Sequence, residues 1–192
     1  YHRGFVACTF KRGIEFYNIP TSLLAMGDAS VGGKTGIDLG ALKNQIGIIQ
    51  EPQGVIIAAE WLKTLAHEEL RSGFAEMLKH GLIANPDYWE TLKTISDLSA
   101  HNLEGFIKPS VAEKTKVVLE DPYEKGLRKI LNFGHTLGHA IESYYLTSPD
   151  KARLLHGEAI AIGMVLEAFL ATKCSGLKDA VAAESKHPFK SS

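Results

Sequence analysis

Residues 131–142 read Leu-Asn-Phe-Gly-His-Thr-Leu-Gly-His-Ala-Ile-Glu, and this stretch governs the interpretation of the whole chain. His135 and His139 stand four positions apart, so on a helix they would share one face. A third histidine, His156, opens a later segment that reads His-Gly-Glu. A catalytic zinc takes about three nitrogen or oxygen ligands and leaves one position open. The pattern therefore indicates a metal site, although histidines at this spacing also occur as simple pairs on a helix surface.

A carboxylate that could complete this ligand set lies on a separate segment. Residues 68–84 carry apolar side chains at close to helical spacing, and Glu76 and Lys79 lie among them. Glu76 with two of the histidines would make a two-histidine, one-glutamate set that suits zinc. Glycines beside the histidines favour the metal site because they let the backbone approach closely. These glycines are Gly134, Gly138 and Gly157.

A glycine-bearing segment earlier in the chain resembles a phosphate-binding loop. Residues 27–36 read Gly-Asp-Ala-Ser-Val-Gly-Gly-Lys-Thr-Gly, close to the pattern G-x4-G-K-[ST]. Asp28 stands where that pattern needs glycine, and its acid would repel nucleotide phosphates. We therefore predict that the loop, over residues 27–47, brings Lys34 and backbone amides to another anion while Asp28 holds a hydroxyl. A plain glycine turn with a solvent-facing lysine is the alternative.

Further basic and amide residues could converge on a substrate with two anionic groups. Lysines would act as point charges, and Arg128 would suit a carboxylate because its guanidinium forms a fork. Taken singly, each of these residues is an ordinary solvated surface group. The set comprises Arg12, Lys43, Asn44, Lys79, Lys114, Arg128 and Asn132.

Composition narrows the class of protein. The 192 residues are 45% hydrophobic and 22% charged, with a net charge of −1, which is ordinary for a soluble globular protein. This charge balance argues against a nucleic-acid partner or a membrane anchor. Cys8 and Cys174 are far apart, which favours a reducing compartment, and no signal peptide or membrane span is visible. We predict a cytoplasmic protein.

The secondary-structure pattern changes near residue 65. Residues 1–65 read as the end of an α/β unit, with strands predicted at 16–19 and 54–58. Residues 66–192 read as an all-helical unit. Its helices are predicted at 68–84, from Pro86 through Ile95, at 103–119, at 134–145 and at 156–174.

Taken together, these blocks resemble the 3-dehydroquinate synthase family of sugar-phosphate cyclases in order and spacing, from about residue 4 to about residue 170. The matching blocks are 28–36, 43–44, 73–79, 131–142 and 156–159. The resemblance implies a Rossmann-like NAD-binding domain packed against a helical metal-binding domain, with the active site between them. It also implies that the chain is a fragment lacking most of the NAD-binding domain and the C-terminal end.

The activity implied by the resemblance is a step of the shikimate pathway of aromatic amino acid biosynthesis. A lyase of this family converts 3-deoxy-D-arabino-heptulosonate 7-phosphate, a sugar-acid phosphate, to 3-dehydroquinate plus phosphate. Bound NAD oxidises a ring hydroxyl, phosphate is eliminated, the hydride returns, and an aldol step closes the carbocycle. The family also implies a homodimer in which Arg12 reaches phosphate across the interface.

The same resemblance assigns residue roles. The metal ligands for zinc or cobalt would be Glu76, His135 and His156, which moves His139 to the substrate as a group that helps to move protons. The substrate-binding residues would be Arg12, Asp28, Lys34, Asn44, Lys79, Lys114, Arg128, Asn132 and His139. The catalytic residues among them would be His139, Lys34, Lys79 and Asn44. Contacts to NAD would come from Thr21, Ser22, Lys34, Lys43, Trp61, Leu62, Lys63 and Thr64.

Three alternatives remain open from the sequence. Iron-dependent polyol dehydrogenases share the two-domain plan, but they usually carry aspartate at the position of Glu76 and lack the anion-binding set. Deoxy-inosose and valiolone synthases share nearly every motif, whereas Arg128 with Asn132 favours a substrate that bears a carboxylate. A non-catalytic metal-binding fragment is the third alternative.

Overall fold

The computed structural model describes residues 2–39, 42–148, 150–152, 154–176 and 182–183, and at residues 38, 42–44 and 100 it describes the backbone alone. Helix α1 spans His2–Thr9. The strands are β1 (Tyr17–Asn18), β2 (Lys34–Leu39), β3 (Leu42–Ile49) and β4 (Gly54–Val55). The later helices are α2 (His67–Ala84), α3 (Pro86–Leu92), α4 (Ala100–Glu120), α5 (His135–Leu146) and α6 (His156–Cys174).

The N-terminal part contains two small sheets. Strands β1 and β4 pair in parallel, with Tyr17 opposite Gly54, and both are only two residues long. Strands β2 and β3 form an antiparallel hairpin with an irregularity between Ile37 and Leu39. The prediction of a loop over residues 27–47 was therefore wrong. A π-helical turn at Ala25–Ala29 and the hairpin occupy that segment, whose isoleucine-rich end favours strand.

Helix α2 lies at the centre of the helical part, where it contacts α3, α4 and α6. Its apolar face joins side chains from the 23–26 segment, α3 and α4 in the main hydrophobic core. That core includes Leu23, Met26, Phe74, Met77, Trp89, Leu92 and Leu103. Because α2 is packed on several sides, a polar side chain on it can be buried without leaving the helix. Within the part of the chain that is described, no helix is both long and apolar enough to cross a membrane.

The helical predictions are confirmed with small shifts at the ends. Helices α2, α4 and α5 match the predicted segments to within a few residues, and α6 has the predicted bounds. Helix α3 ends at Leu92, so Ile95 lies beyond it. The sequence did not predict α1 or the 3-10 turns Phe10–Arg12, Ala59–Thr64 and Leu127–Asn132. Such short elements leave little periodicity to detect.

Candidate metal and anion site

Helix α2 carries a buried ion pair on the side opposite its apolar core face. Glu76 is 1% exposed and Lys79 is 2% exposed, and the Lys79 ammonium contacts Oε2 of Glu76. Burial by itself would raise the pKa of the Glu76 carboxyl, but Lys79 and the neighbouring histidines lower it below its usual value. Burial would likewise lower the pKa of Lys79, and the Glu76 carboxylate raises it instead. Both groups are therefore charged at neutral pH.

Helices α5 and α6 bring two histidines to the same carboxylate. Nε2 of His135 lies 3.9 Å from Oε1 of Glu76, and Nε2 of His156 lies 3.7 Å from the same oxygen. The two helices can approach closely because residue 163 of α6 is glycine. An added side chain at Gly163 would overlap the Gly134 carbonyl. Gly134 has a φ of 81°, a left-handed conformation that glycine adopts without strain, where α5 begins.

The second nitrogen of each ring has its own partner. Nδ1 of His135 lies 3.3 Å from the Phe133 carbonyl, and Nδ1 of His156 lies 3.4 Å from Oε2 of Glu142. A proton on each Nδ1 leaves a lone pair on each Nε2, directed towards Glu76. Burial, with the Lys79 ammonium, lowers the pKa of His135 to about 4, which keeps this imidazole neutral. Histidines that ligate metal show this arrangement of an anchored outer nitrogen and a free inner one.

These three side chains fit a divalent metal ion. The donor atoms of Glu76, His135 and His156 lie within 4.8 Å of one another. Among the described residues, Oε1 of Glu76 is buried and receives no hydrogen bond. Three acceptor atoms thus converge without a donor between them, which is costly unless a cation binds there. Two imidazoles and one carboxylate match the preference of zinc, and cobalt accepts the same donors.

Two other groups of ligand atoms meet the same distance limit, but they are less suitable. Asp28, Glu76 and His80 form one of them, yet the ammonium groups of Lys79 and Lys114 contact its carboxylates and would repel a divalent cation. His139, Glu142 and His156 form the other, which would use the opposite nitrogen of His156. The cluster of Glu76, His135 and His156 is therefore the best candidate for a metal.

Asp28 is held beside the metal cluster by side chains from two helices, α2 and α4. Nζ of Lys114 lies 2.8 Å from its Oδ1 and also donates to its backbone carbonyl at 2.6 Å. Nε2 of His80 lies 3.2 Å from the same Oδ1, and its Nδ1 lies 2.8 Å from Oγ of Ser110. Burial would raise the pKa of Asp28, but Lys114, Lys79 and His80 hold it well below its usual range. Asp28 is therefore an anion that can accept a hydrogen bond from a hydroxyl.

A second polar cluster surrounds Glu124, a residue that no sequence motif marks. The Lys34 ammonium contacts Oε2 of Glu124, and Asn132 donates to Oε1 at 2.6 Å. Burial would raise the pKa of Glu124, but Lys34 and Asn132 lower it. Glu124 has a φ of 56°, which is unusual for a residue with a side chain. The only signal in the sequence was its place in a turn that follows Pro122.

Arg128 donates to backbone carbonyls, whereas the sequence predicted that it would bind a substrate carboxylate. Its Nη2 donates to the Gly32 carbonyl at 2.7 Å and its Nη1 donates to the Pro122 carbonyl at 2.7 Å, with the side chain fully buried. These contacts tie the glycine turn before β2 to the turn after α4. Because two of its donating groups are engaged, the described geometry gives no support to a carboxylate fork at Arg128, and that role stays a prediction.

The remaining predicted residues are distributed as follows. His139 is 44% exposed on α5, and its ring centre lies 5.3 Å from that of His135. Arg12 is exposed in a turn where it and Lys11 both have positive φ. Leu62 lies in the core, so only its backbone could face a cofactor. Thr21, Trp61, Lys63 and Thr64 are exposed, Ser22 is half-buried, and the side chains of Lys43 and Asn44 lie outside the described residues.

The metal-free protein is expected to lose stability as the pH falls from about 6.5 to about 4. An unfolded histidine binds its proton near pH 6.5, whereas folded His135 stays neutral down to about 4. Since the unfolded chain binds more protons in this window, the free energy of unfolding decreases by roughly 3 kcal/mol. Urea unfolding with chelator at several pH values measures this slope. His135→Gln should flatten the slope, and an equal slope in that variant would contradict the assignment.

Solved structures with the same fold are sugar-phosphate cyclases. A 2-deoxy-scyllo-inosose synthase, complexed with carbaglucose-6-phosphate, NAD+ and Co2+, superposes with a TM-score of 0.87 at 30% identity. It is matched over 98% of this chain and 51% of its own chain. The 2-epi-5-epi-valiolone synthase from Streptomyces hygroscopicus, with NAD+ and Zn2+ bound, gives a TM-score of 0.85 at 27% identity. That match covers 97% of this chain and 53% of the synthase chain. The fold is that of the sugar-phosphate cyclases.

Sequence comparison identifies the family within that class. The family described as 3-dehydroquinate synthase N-terminal matches residues 2–72, and 3-dehydroquinate synthase C-terminal matches residues 73–191. The chain belongs to the 3-dehydroquinate synthase family. It is 46% identical to the 3-dehydroquinate synthase of Parabacteroides distasonis over 90% of this chain and 49% of that protein. It is also 46% identical to that of Streptococcus mutans over 84% of this chain and 45% of that protein. The chain thus spans about half the length of these relatives.

Proposed function

We propose that this chain supplies the metal- and substrate-binding part of a 3-dehydroquinate synthase, which converts 3-deoxy-D-arabino-heptulosonate 7-phosphate to 3-dehydroquinate and phosphate. The observation that carries the proposal is the convergence of Glu76, His135 and His156 on one point beside the buried Lys79. In this proposal residues 1–65 are the end of the NAD-binding unit, and residues 66–192 are the helical metal- and substrate-binding unit.

Glu76, His135 and His156 would hold the metal through Oε1 and the two Nε2 atoms. Zinc or cobalt bound there would act as a Lewis acid that polarises the hydroxyl and carbonyl oxygens of the substrate. Lys79 lies against the same carboxylate and keeps it ionised, so the ligand is available without first losing a proton. Anchoring of both outer ring nitrogens fixes the ligands before substrate arrives, which lowers the cost of ordering them.

The anionic groups of the substrate would be bound by the chain's cations. Lys79 and Lys114 contact the buried carboxylates of the site, and Lys34, which pairs with Glu124, would bind the substrate from the start of β2. Asp28 accepts a hydrogen bond from a substrate hydroxyl, because Lys114 keeps it charged and oriented. His139 is partly exposed beside His156 and is suited to moving a proton between substrate and solvent. Asn44, Arg128 and Asn132 complete the proposed set.

Most of the residues proposed to contact NAD are exposed. Thr21, Trp61, Lys63 and Thr64 face solvent, so this part of the chain would flank the dinucleotide without surrounding it. NAD would serve as the transient hydride acceptor. Arg12 stands out on an exposed turn, which supports its proposed reach into a second subunit of a homodimer. We infer a cytoplasmic location, which the two free cysteines support.

Phosphate release tests this function. The complete protein, supplied with NAD and zinc, is expected to release phosphate from 3-deoxy-D-arabino-heptulosonate 7-phosphate. Lys114→Met should lower kcat/KM by roughly 100-fold or more. It removes the proposed charge-assisted hydrogen bond from Lys114 to an anionic group of the substrate, which is worth about 3 kcal/mol. Lys116→Met is the matched control, since Lys116 lies on the same helix and is exposed. If phosphate is released only from a sugar phosphate that lacks a carboxylate, the protein is instead another cyclase of this class.

A further inference from the structure

Glu142 occupies an unusual position between two histidines that have different proposed roles. Its Oε2 lies 3.3 Å from Nδ1 of His139 and 3.4 Å from Nδ1 of His156. Glu142 is 7% exposed and lies on α5, three positions after His139, whereas His156 is the first residue of α6. One carboxylate oxygen therefore meets the outer nitrogens of two imidazoles from neighbouring helices.

We propose that Glu142 is a positioning residue that fixes both histidines in the same tautomer. This inference rests on the proposed function, in which His156 ligates the metal and His139 moves a proton. A carboxylate accepts hydrogen bonds and donates none when ionised, so each Nδ1 facing it carries hydrogen. Each Nε2 then carries a lone pair. That lone pair serves as a metal donor on His156 and as a proton acceptor on His139.

The helix packing makes this shared contact rigid. Gly138 on α5 packs against Ala159 and Ile160 of α6, where an added methyl group would be only 2.9 Å from the Ile160 side chain. The N-terminus of α5 is also capped from α6, because the Gly134 amide donates to Glu167 at 2.8 Å. The two helices thus hold the ring centres of His139 and His156 5.5 Å apart. A single acceptor can therefore orient both rings without a further side chain.

The geometry favours this role over direct metal ligation by Glu142. Ligation would need lone pairs on both Nδ1 atoms, which would place a proton on Nε2 of His156. That nitrogen faces Oε1 of Glu76, where the lone pair is needed for the better ligand set. If Glu142 were itself a ligand, zinc would bind at the cluster of His139, Glu142 and His156 and would no longer need Glu76, so the effect of removing Glu76 separates the two roles.

The test combines zinc affinity with the ring tautomers of this chain. Glu142→Ala is expected to weaken zinc binding by about 10–100-fold, the usual cost of losing an outer hydrogen-bond partner. Glu142→Gln keeps the shape and should cost less, since its amide oxygen can still accept a hydrogen bond. Competition with a chromophoric chelator measures affinity. Nitrogen-15 NMR of metal-free protein near pH 8, where histidine is neutral, reports the tautomers. His139 should change from the Nδ1–H form to mainly Nε2–H in Glu142→Ala.

Glu104→Gln on the exposed face of α4 is the control, and it should change neither measurement. Unchanged zinc affinity together with an unchanged His139 tautomer in Glu142→Ala would overturn the proposal. Stoichiometric zinc that persists in Glu76→Ala but is lost in Glu142→Gln would also overturn it by making Glu142 a ligand. If Glu142→Ala fails to fold, Glu142→Leu, which fills a similar volume and accepts no hydrogen bond, is measured in its place. Failure of the wild-type chain to bind zinc at all would instead count against the proposed metal site.

Discussion

Glu76→Ala is expected to abolish stoichiometric zinc binding and to destabilise the protein. Oε1 of Glu76 is the point where the Nε2 atoms of His135 and His156 converge, so its loss leaves only two donors on neighbouring helices. The affinity should fall by more than about 100-fold, which exceeds the cost of losing an outer hydrogen bond. The change also leaves the ammonium of Lys79 buried without its partner, at a cost of about 3–5 kcal/mol. Metal analysis and urea unfolding measure the two effects.

A double variant separates these two consequences. Replacing the buried pair together, as Glu76→Leu with Lys79→Met, removes both charges and keeps similar volume. Such replacements are often neutral or stabilising because no unpaired charge remains. The double variant should therefore recover most of the stability while still failing to bind zinc. Stoichiometric zinc in Glu76→Ala would show that the ligand assignment is wrong.

Gly157→Ala is expected to have the second largest effect, because it forces α6 away from α2. A methyl group at this position would overlap the backbone carbonyl of Ser72, and backbone cannot rotate away as a side chain can. The Gly157 amide also donates to Oγ of Ser72 at 2.9 Å, so the contact is specific. Overpacking of this kind costs about 1–3 kcal/mol, and more where only backbone can yield. His156 is the adjacent residue, so zinc affinity should fall by tenfold or more.

Gly105→Ala is the matched control for this prediction. Gly105 lies within α4, and a methyl group there would meet nothing within 4 Å. Gly105→Ala should stabilise α4 by up to about 1 kcal/mol, because alanine is a better helix former than glycine. Zinc affinity should stay unchanged. If Gly157→Ala retains wild-type stability and zinc affinity, then close packing of α6 on α2 does not position His156.

Local sequence information was sufficient for the helices that carry the candidate metal ligands. The apolar spacing of residues 68–84 predicted α2, and glycine and histidine positions predicted the starts of α5 and α6. The residues 27–47 were misread because glycines and charges there suggested a loop. A hairpin forms instead, since backbone pairing between residues up to 15 positions apart, such as Lys34 with Ile49, is not visible in a local pattern. Family blocks supplied the candidate ligands, which the structure brings within 4.8 Å.

The sequence by itself determined the helical architecture, the family, and the residue types available for a metal and for anions. Only the tertiary structure decided which atoms meet. It placed Nε2 of His135 and His156 towards Glu76, placed Glu142 behind His156, and engaged Arg128 with backbone carbonyls. The physical reason is that hydrogen-bond direction and ring orientation depend on packing between helices distant in sequence. Spacing along one helix can place a histidine on a face, but it cannot choose which nitrogen carries the proton.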